Sequence, residues 1–182
     1  MTRAIGFLVY PGFQLLDATG PIAAFEIAGR FSPGAYALHF LSLDGGAVAS
    51  SSGLSIDTLA LADAPRLDTL LVSGGDGVKV PATCAQTLDF VRAAGRDARR
   101  VASVCSGTFI LAAAGLLDGK RATTHWSRTQ DFQRRHPNVR LEPDRIWIQD
   151  GAVWSSAGIT AGIDLALAMI GACLLYTSDA AD

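Results

Sequence analysis

Charge is sparse in this chain, and no long run of it has a single sign. Charged residues make up 18% of the 182 positions, with 15 Lys and Arg against 17 Asp and Glu, for a formal net charge of -2. Gripping nucleic acid through its phosphates takes a clustered basic surface, so these residues alone are not expected to bind DNA. Cysteine is scarce as well. Cys84, Cys105 and Cys173 are scattered and odd in number, which excludes a disulfide framework, and no CxxC pair suggests zinc. No metal and no cofactor is expected. Long hydrophobic runs are also missing. The apolar stretches fall far short of the ~20 residues that span a bilayer. The opening MTRAIGFLVYPGF is too short in its apolar part for a signal peptide. No membrane association is expected, and a soluble protein of a reducing cytoplasm is the default.

What remains is an apolar chain of 49% hydrophobic residues, with 30 alanines and 19 glycines. Its length suits one domain with a sizeable core, and its small residues suit close packing of helices on a sheet. Ala4–Tyr10 reads as a strand buried on both faces, stopped by Pro11-Gly12. Asp17–Gly29 has helical spacing, with Pro21 in its first turn and Gly29 as a C-cap. Further strands are expected at Ala37–Leu43, Asp68–Ser73, Arg100–Val104 and Arg121–Thr124, and a small hairpin or extended excursion over Gly45–Asp57. Helices are expected at Thr83–Gly95, Thr108–Leu117, Ser127–Arg135 and Ile159–Gly171. Asp150-Gly151 signals a hairpin between Arg145–Gln149 and Val153–Ser155. Strands that alternate with helices predict an α/β fold with a mainly parallel sheet covered on both faces.

Four segments at strand ends could carry chemistry. Cys105-Ser106-Gly107 lies between a strand and a helix, where a nucleophile is held exposed on a sharp turn. A helix N-terminus behind the sulfur favours the thiolate, so Cys105 is expected to be the most reactive thiol and Cys84 and Cys173 to be inert. A merely packed small cysteine is the plain alternative. Ser73-Gly74-Gly75-Asp76-Gly77 offers free backbone N–H groups where ligands of open α/β sheets collect. It is neither a dinucleotide fingerprint nor a P-loop. His125, in Thr123-Thr124-His125-Trp126, could serve as base or ion-pair partner to a cysteine. Asp17 heads the first helix. It is either an N-cap or a carboxyl facing Cys105, and the sign of its effect on the thiol depends on whether it is ionised.

In combination these pieces resemble a known family. Leu8-Val9-Tyr10-Pro11-Gly12-Phe13, Leu16-Asp17, Gly20-Pro21, Ser73-Gly74-Gly75, Val104-Cys105-Ser106-Gly107, Ala122-Thr123-Thr124-His125-Trp126 and Ser156-Ala157-Gly158-Ile159-Thr160 occur in order. They resemble the ThiJ/PfpI superfamily, the class I glutamine-amidotransferase-like fold, over essentially residues 3 to 172. The resemblance implies a three-layer flavodoxin-like sandwich with Cys105 on a nucleophile elbow. It implies that Asp17 lies within hydrogen-bond reach of the sulfur and that His125 is nearby. It further implies that the N–H groups of Gly75 and Ser106, beside Gly74, form an oxyanion or ligand site, and that the chain forms a homodimer.

Two branches of that family carry these motifs. One is the small-molecule-sensing N-terminal domain of AraC-type transcriptional regulators, to which Ala113–Trp126 and Trp154–Gly158 are most similar. The other is the isonitrile hydratases, which convert an isonitrile to an N-substituted formamide, and in many of which a threonine stands at the position of Ser106. A glyoxalase- or chaperone-like stress protein is a third reading. The leading expectation is a ligand-sensing regulator domain, residues 1–175, cut off before its DNA-binding part, with 176–182 an unpatterned tail outside the family's pattern.

Overall fold

The computed structural model describes residues 2–178, and side chains through residue 173. In chain order the elements are β1 (Arg3–Leu8), α1 (Leu15–Phe31), β2 (Tyr36–Ser42), β3 (Asp44–Ala49), β4 (Ser55–Ala60) and β5 (Thr69–Val72). Then come α2 (Ala85–Asp97), β6 (Arg100–Val104), α3 (Thr108–Ala113), β7 (Arg121–Ala122), α4 (Thr129–Arg135), β8 (Arg140–Leu141), β9 (Trp147–Asp150), β10 (Val153–Ser156) and α5 (Ala161–Ser178).

Eight strands form one sheet in the order β3-β4-β2-β1-β5-β6-β10-β9. The interior pairs are parallel, and each edge closes with an antiparallel hairpin. The parallel strands read as continuous apolar runs because both faces are covered. Ile5, Phe7, Leu71, Ala102 and Val104 pack with Phe25, Leu165 and Met169 on the α1/α5 side. Leu8, Leu70, Val72 and Val101 alternate to the other side, with Ile110, Leu111 and Phe132. The result is the three-layer α/β sandwich expected, with the hairpin over β3 and β4 extending the sheet beyond β2.

Several boundaries differ from the expectations for local reasons. The helix expected over Thr108–Leu117 is only six residues long. It stops because Gly115 takes φ +79 and its N–H turns back to the Ala112 carbonyl. Arg121–Thr124 contributes only a two-residue strand, which pairs with β8 in a separate small sheet that no periodicity signalled. The last helix begins at Ala161, because Ile159 has φ +55 and cannot be helical. At its other end α5 runs through Ser178, into the stretch expected as tail, and positions 179–182 lie outside the described residues.

The sheet order also locates the site. From β1 the chain steps outward to β2 on one side, then returns to build β5 and β6 on the other. Such a reversal opens a crevice at the carboxyl ends of the central strands, where ligands of doubly wound sheets bind. The turns after β1, β5 and β6 all empty into this crevice.

Candidate functional site

Cys105 follows β6 directly and takes φ +56, a left-handed conformation rare for a residue with a side chain. This is the strained elbow expected. Its carbonyl accepts hydrogen bonds from Thr124 Oγ1 at 2.9 Å and Thr108 Oγ1 at 3.0 Å. Two glycines wall the thiol. A Cβ on Gly158 would lie 2.8 Å from Cys105 Sγ, and one on Gly74 would lie 2.6 Å from Cys105 Cβ. No larger residue fits either place.

Asp17 lies in the first turn of α1, whose N-cap is Gln14, so the aspartate is not the cap. It is 1% exposed. Its Oδ1 accepts the Ile159 N–H at 2.7 Å. Its Oδ2 has no hydrogen-bond partner of good geometry among the described residues and lies toward Gly74 and Cys105. Burial raises the Asp17 carboxyl above the ordinary carboxylate range, opposed by the Ile159 N–H, by Cys105 and by the charge of nearby His125. α1 thus carries the carboxylate to the elbow, and the loop before α5 holds it there through the Ile159 N–H.

The thiol itself runs against the expectation of a ready thiolate. Burial first, and the Asp17 charge second, push Cys105 up to about 12, while the Ser106 N–H and hydroxyl pull the other way. The reason lies in the fold. The helix behind the sulfur has six residues, preceded by a 3-10 turn over Cys105–Gly107, so its dipole is small. A desolvated sulfur beside a carboxylate outweighs it. Cys84, expected to be inert, is the reverse. It stands at the N-cap of the thirteen-residue α2, where the nearby Thr87 N–H and hydroxyl lower its thiol.

The glycine turn after β5 lies where the sequence placed it. Gly74 touches both Asp17 and Cys105, and Gly75 packs on Phe13 and Gln14 with φ +142. The Gly75 N–H, expected as a free donor, gives its hydrogen to Ser106 Oγ at 2.9 Å. Ser106 Oγ in turn donates to the Gly75 carbonyl at 3.1 Å. The Gly75 N–H is therefore engaged, and it becomes a free donor only if the serine rotates. His125 is half-buried, and its Nδ1 bonds Ser127 within its own turn at 2.8 Å. It acts on Asp17 through charge rather than through a bond to the sulfur.

Gly158, Ile159 and Tyr10 are the neighbours that motif reading left without a role. Tyr10 is buried with its hydroxyl on the Ser73 carbonyl, and burial followed by the Asp17 charge raises it well above the ordinary tyrosine value. Gly158 stood in a motif of the resemblance, and its place two residues past a buried strand and just before a helix was the local signal for it. Among the described residues, no cluster of three or more His, Cys, Asp or Glu side chains is arranged to hold a metal ion.

The sequence pattern of the DJ-1/PfpI family matches residues 3–172, which takes in every one of these side chains. The chain belongs to the DJ-1/PfpI family. It is 41% identical over 172 residues to the isonitrile hydratase of Pseudomonas putida, covering 93% of this chain and 71% of that protein. It is 34% identical over 171 residues to the HTH-type transcriptional regulator CdhR of Pseudomonas aeruginosa, covering 93% of this chain but 50% of the regulator. Among solved structures, a ThiJ/PfpI family protein from Pseudomonas syringae superposes with a TM-score of 0.83 at 32% identity, over 100% of this chain and 76% of that one. An AraC family regulator from Pseudomonas putida shares the fold, with a TM-score of 0.83 at 22% identity over 94% of this chain and 92% of that one. This DJ-1/PfpI domain thus spans about half the length of the regulator and under three quarters of the hydratase. No helix of the described residues is long and apolar enough to cross a membrane.

Proposed function

We propose that this domain is a cytoplasmic ligand sensor of the kind that AraC-type regulators carry, binding a small molecule at the crevice formed by Cys105, Asp17, Gly74, Gly75, Ser106 and His125. The observation that carries this reading is the state of the thiol. Cys105 is 8% exposed and pushed up to about 12 beside Asp17, so at neutral pH the sulfur is a protonated contact surface rather than a nucleophile. The similarity to an HTH-type regulator over 93% of the chain supports the same reading.

A second reading has its own support. The 41% identity to an isonitrile hydratase, together with a cysteine and a carboxylate facing each other, fits the addition of water to an isonitrile to give an N-substituted formamide. In that reading Asp17 takes the thiol proton when substrate arrives. One experiment separates the two. The chain and its Cys105→Ser variant are incubated with an alkyl isonitrile, and formamide is measured. The sensor reading expects no turnover by either. Turnover by the wild type that vanishes in Cys105→Ser would overturn it in favour of the hydratase.

The partner readings follow. We propose a homodimer through the apolar groove between α1 and α5, where Ile27 is 50% exposed and Leu167 55%. A monomer in light scattering at high concentration would contradict it. With 15 basic and 17 acidic residues and no long run of basic residues, this domain is expected not to shift DNA in a low-salt gel, and tight binding there would refute that half.

A further inference from the structure

Thr123-Thr124 precedes His125, and only the histidine has an assigned role. Thr124 is completely buried, and its hydroxyl makes one hydrogen bond, to the Cys105 carbonyl at 2.9 Å. Thr108, the other donor to that carbonyl, has a single proton and three oxygens within reach. They are the Cys105 carbonyl at 3.0 Å, the Thr123 carbonyl at 3.1 Å and Ser103 Oγ at 2.9 Å. The committed donor is therefore Thr124. The Cys105 carbonyl and the Ser106 N–H belong to one planar peptide unit and point in opposite directions. Whatever holds the carbonyl also aims the N–H. That N–H lies at the thiol, where it favours the thiolate, and 2.8 Å from where a Gly74 Cβ would stand.

We infer that Thr124 is a positioning residue of the elbow, whose hydroxyl locks the Cys105–Ser106 peptide in its left-handed turn and so directs the Ser106 N–H at the sulfur and at the anion-facing side of the crevice. The inference rests on the reading of this crevice as the ligand site, but its test needs neither ligand nor turnover. A left-handed turn at a residue with a Cβ persists only where its surroundings over-determine it, and a buried hydroxyl with one acceptor supplies that constraint. Thr123 anchors the same segment from behind, taking Ser155 Oγ on its N–H at 2.9 Å and donating its own hydroxyl to the Arg145 carbonyl at 3.1 Å. The threonine pair thereby fastens the elbow to β10 and to the loop before β9.

The experiment measures iodoacetamide alkylation of Cys105 from neutral to alkaline pH, resolved by peptide mass spectrometry, in wild type, Thr124→Val and Thr124→Ser. Valine keeps the shape and removes the donor, so Cys105 alkylation is expected to slow about tenfold at each pH, the equivalent of one hydrogen bond. Serine is expected to restore the wild-type profile, and Cys84 serves as the internal control and is expected not to change. An unchanged or faster Cys105 rate in Thr124→Val, an equal change at Cys84, or failure of serine to rescue would overturn the proposal. Should the valine variant not fold, the χ1 couplings of Thr124 in the wild type decide: a single rotamer is expected, and rotamer averaging would overturn it.

Discussion

Cys105 and Cys84 each stand at the turn into a helix, and their surroundings push the two thiols in opposite directions. Cys84 stands at the N-cap of a helix of thirteen residues and is half-buried, and the nearby Thr87 N–H and hydroxyl outweigh the opposing charge of Asp44. Its thiol is lowered. Cys105 precedes a helix of six residues, is walled by Gly74 and Gly158, and has Asp17 against it. Its thiol is raised to about 12. A helix N-terminus is worth at most a few tenths to about 2 kcal/mol for a nearby anion. Desolvation and a neighbouring like charge shift a buried group by several times that. Position at a helix start is therefore a poor guide to reactivity unless burial and neighbouring charge are known.

Competitive alkylation tests the contrast between the two thiols most directly. Cys84 is expected to react on the order of a hundredfold faster than Cys105 at neutral pH, since the larger thiolate fraction is only partly offset by lower intrinsic nucleophilicity. Peptide-resolved labelling with Cys105 equal to or ahead of Cys84 would reverse the assignment. The glycine wall offers the next test. Gly158→Ala places a methyl group on the Cys105 side chain at φ +95, and it is expected to lower stability by about 2–3 kcal/mol through overpacking and backbone strain. Urea denaturation with an unchanged midpoint would show that the wall is loose.

Asp17→Asn sharpens the electrostatic half. The amide still accepts the Ile159 N–H but carries no charge, so Cys105 alkylation is expected to rise about tenfold, the equivalent of one pKa unit. Any turnover that needs a proton acceptor is expected to fall in the same variant. A Cys105 rate insensitive to the substitution would leave burial as the sole cause. The smallest effect is on stability against pH. Because the folded state raises Asp17, its contribution is full below the unfolded carboxyl pKa and is lost as pH climbs through the raised value. Thermal melts of Asp17→Asn should therefore lack part of the decline that the wild type shows from acid toward neutral pH, and identical slopes would contradict the assignment.

Much of this was legible in the sequence. The strands expected at Ala4–Tyr10, Asp68–Ser73 and Arg100–Val104 were legible because strands covered on both faces have no polar side to alternate with. The strand-to-helix turn at Cys105 and the glycines at 74 and 75 identified the crevice for the same kind of local reason. Helix ends were less legible, since the stop at Gly115 depends on a left-handed glycine that looks, in sequence, like any other glycine among alanines.

Strand periodicity and turn chemistry act over a few residues, so the alternation of strands and helices and the turn at Cys105 were written in the sequence, but the full set of side chains around that turn was not. Only the tertiary structure decided what those side chains do to one another. Asp17 meets the Ile159 N–H 142 positions away, Gly158 closes over Cys105 from beyond β10, and Ser106 takes the Gly75 N–H. The protonation state of a thiol is set by desolvation and by charge within a few ångströms. Neither quantity exists until the chain has brought its distant segments together.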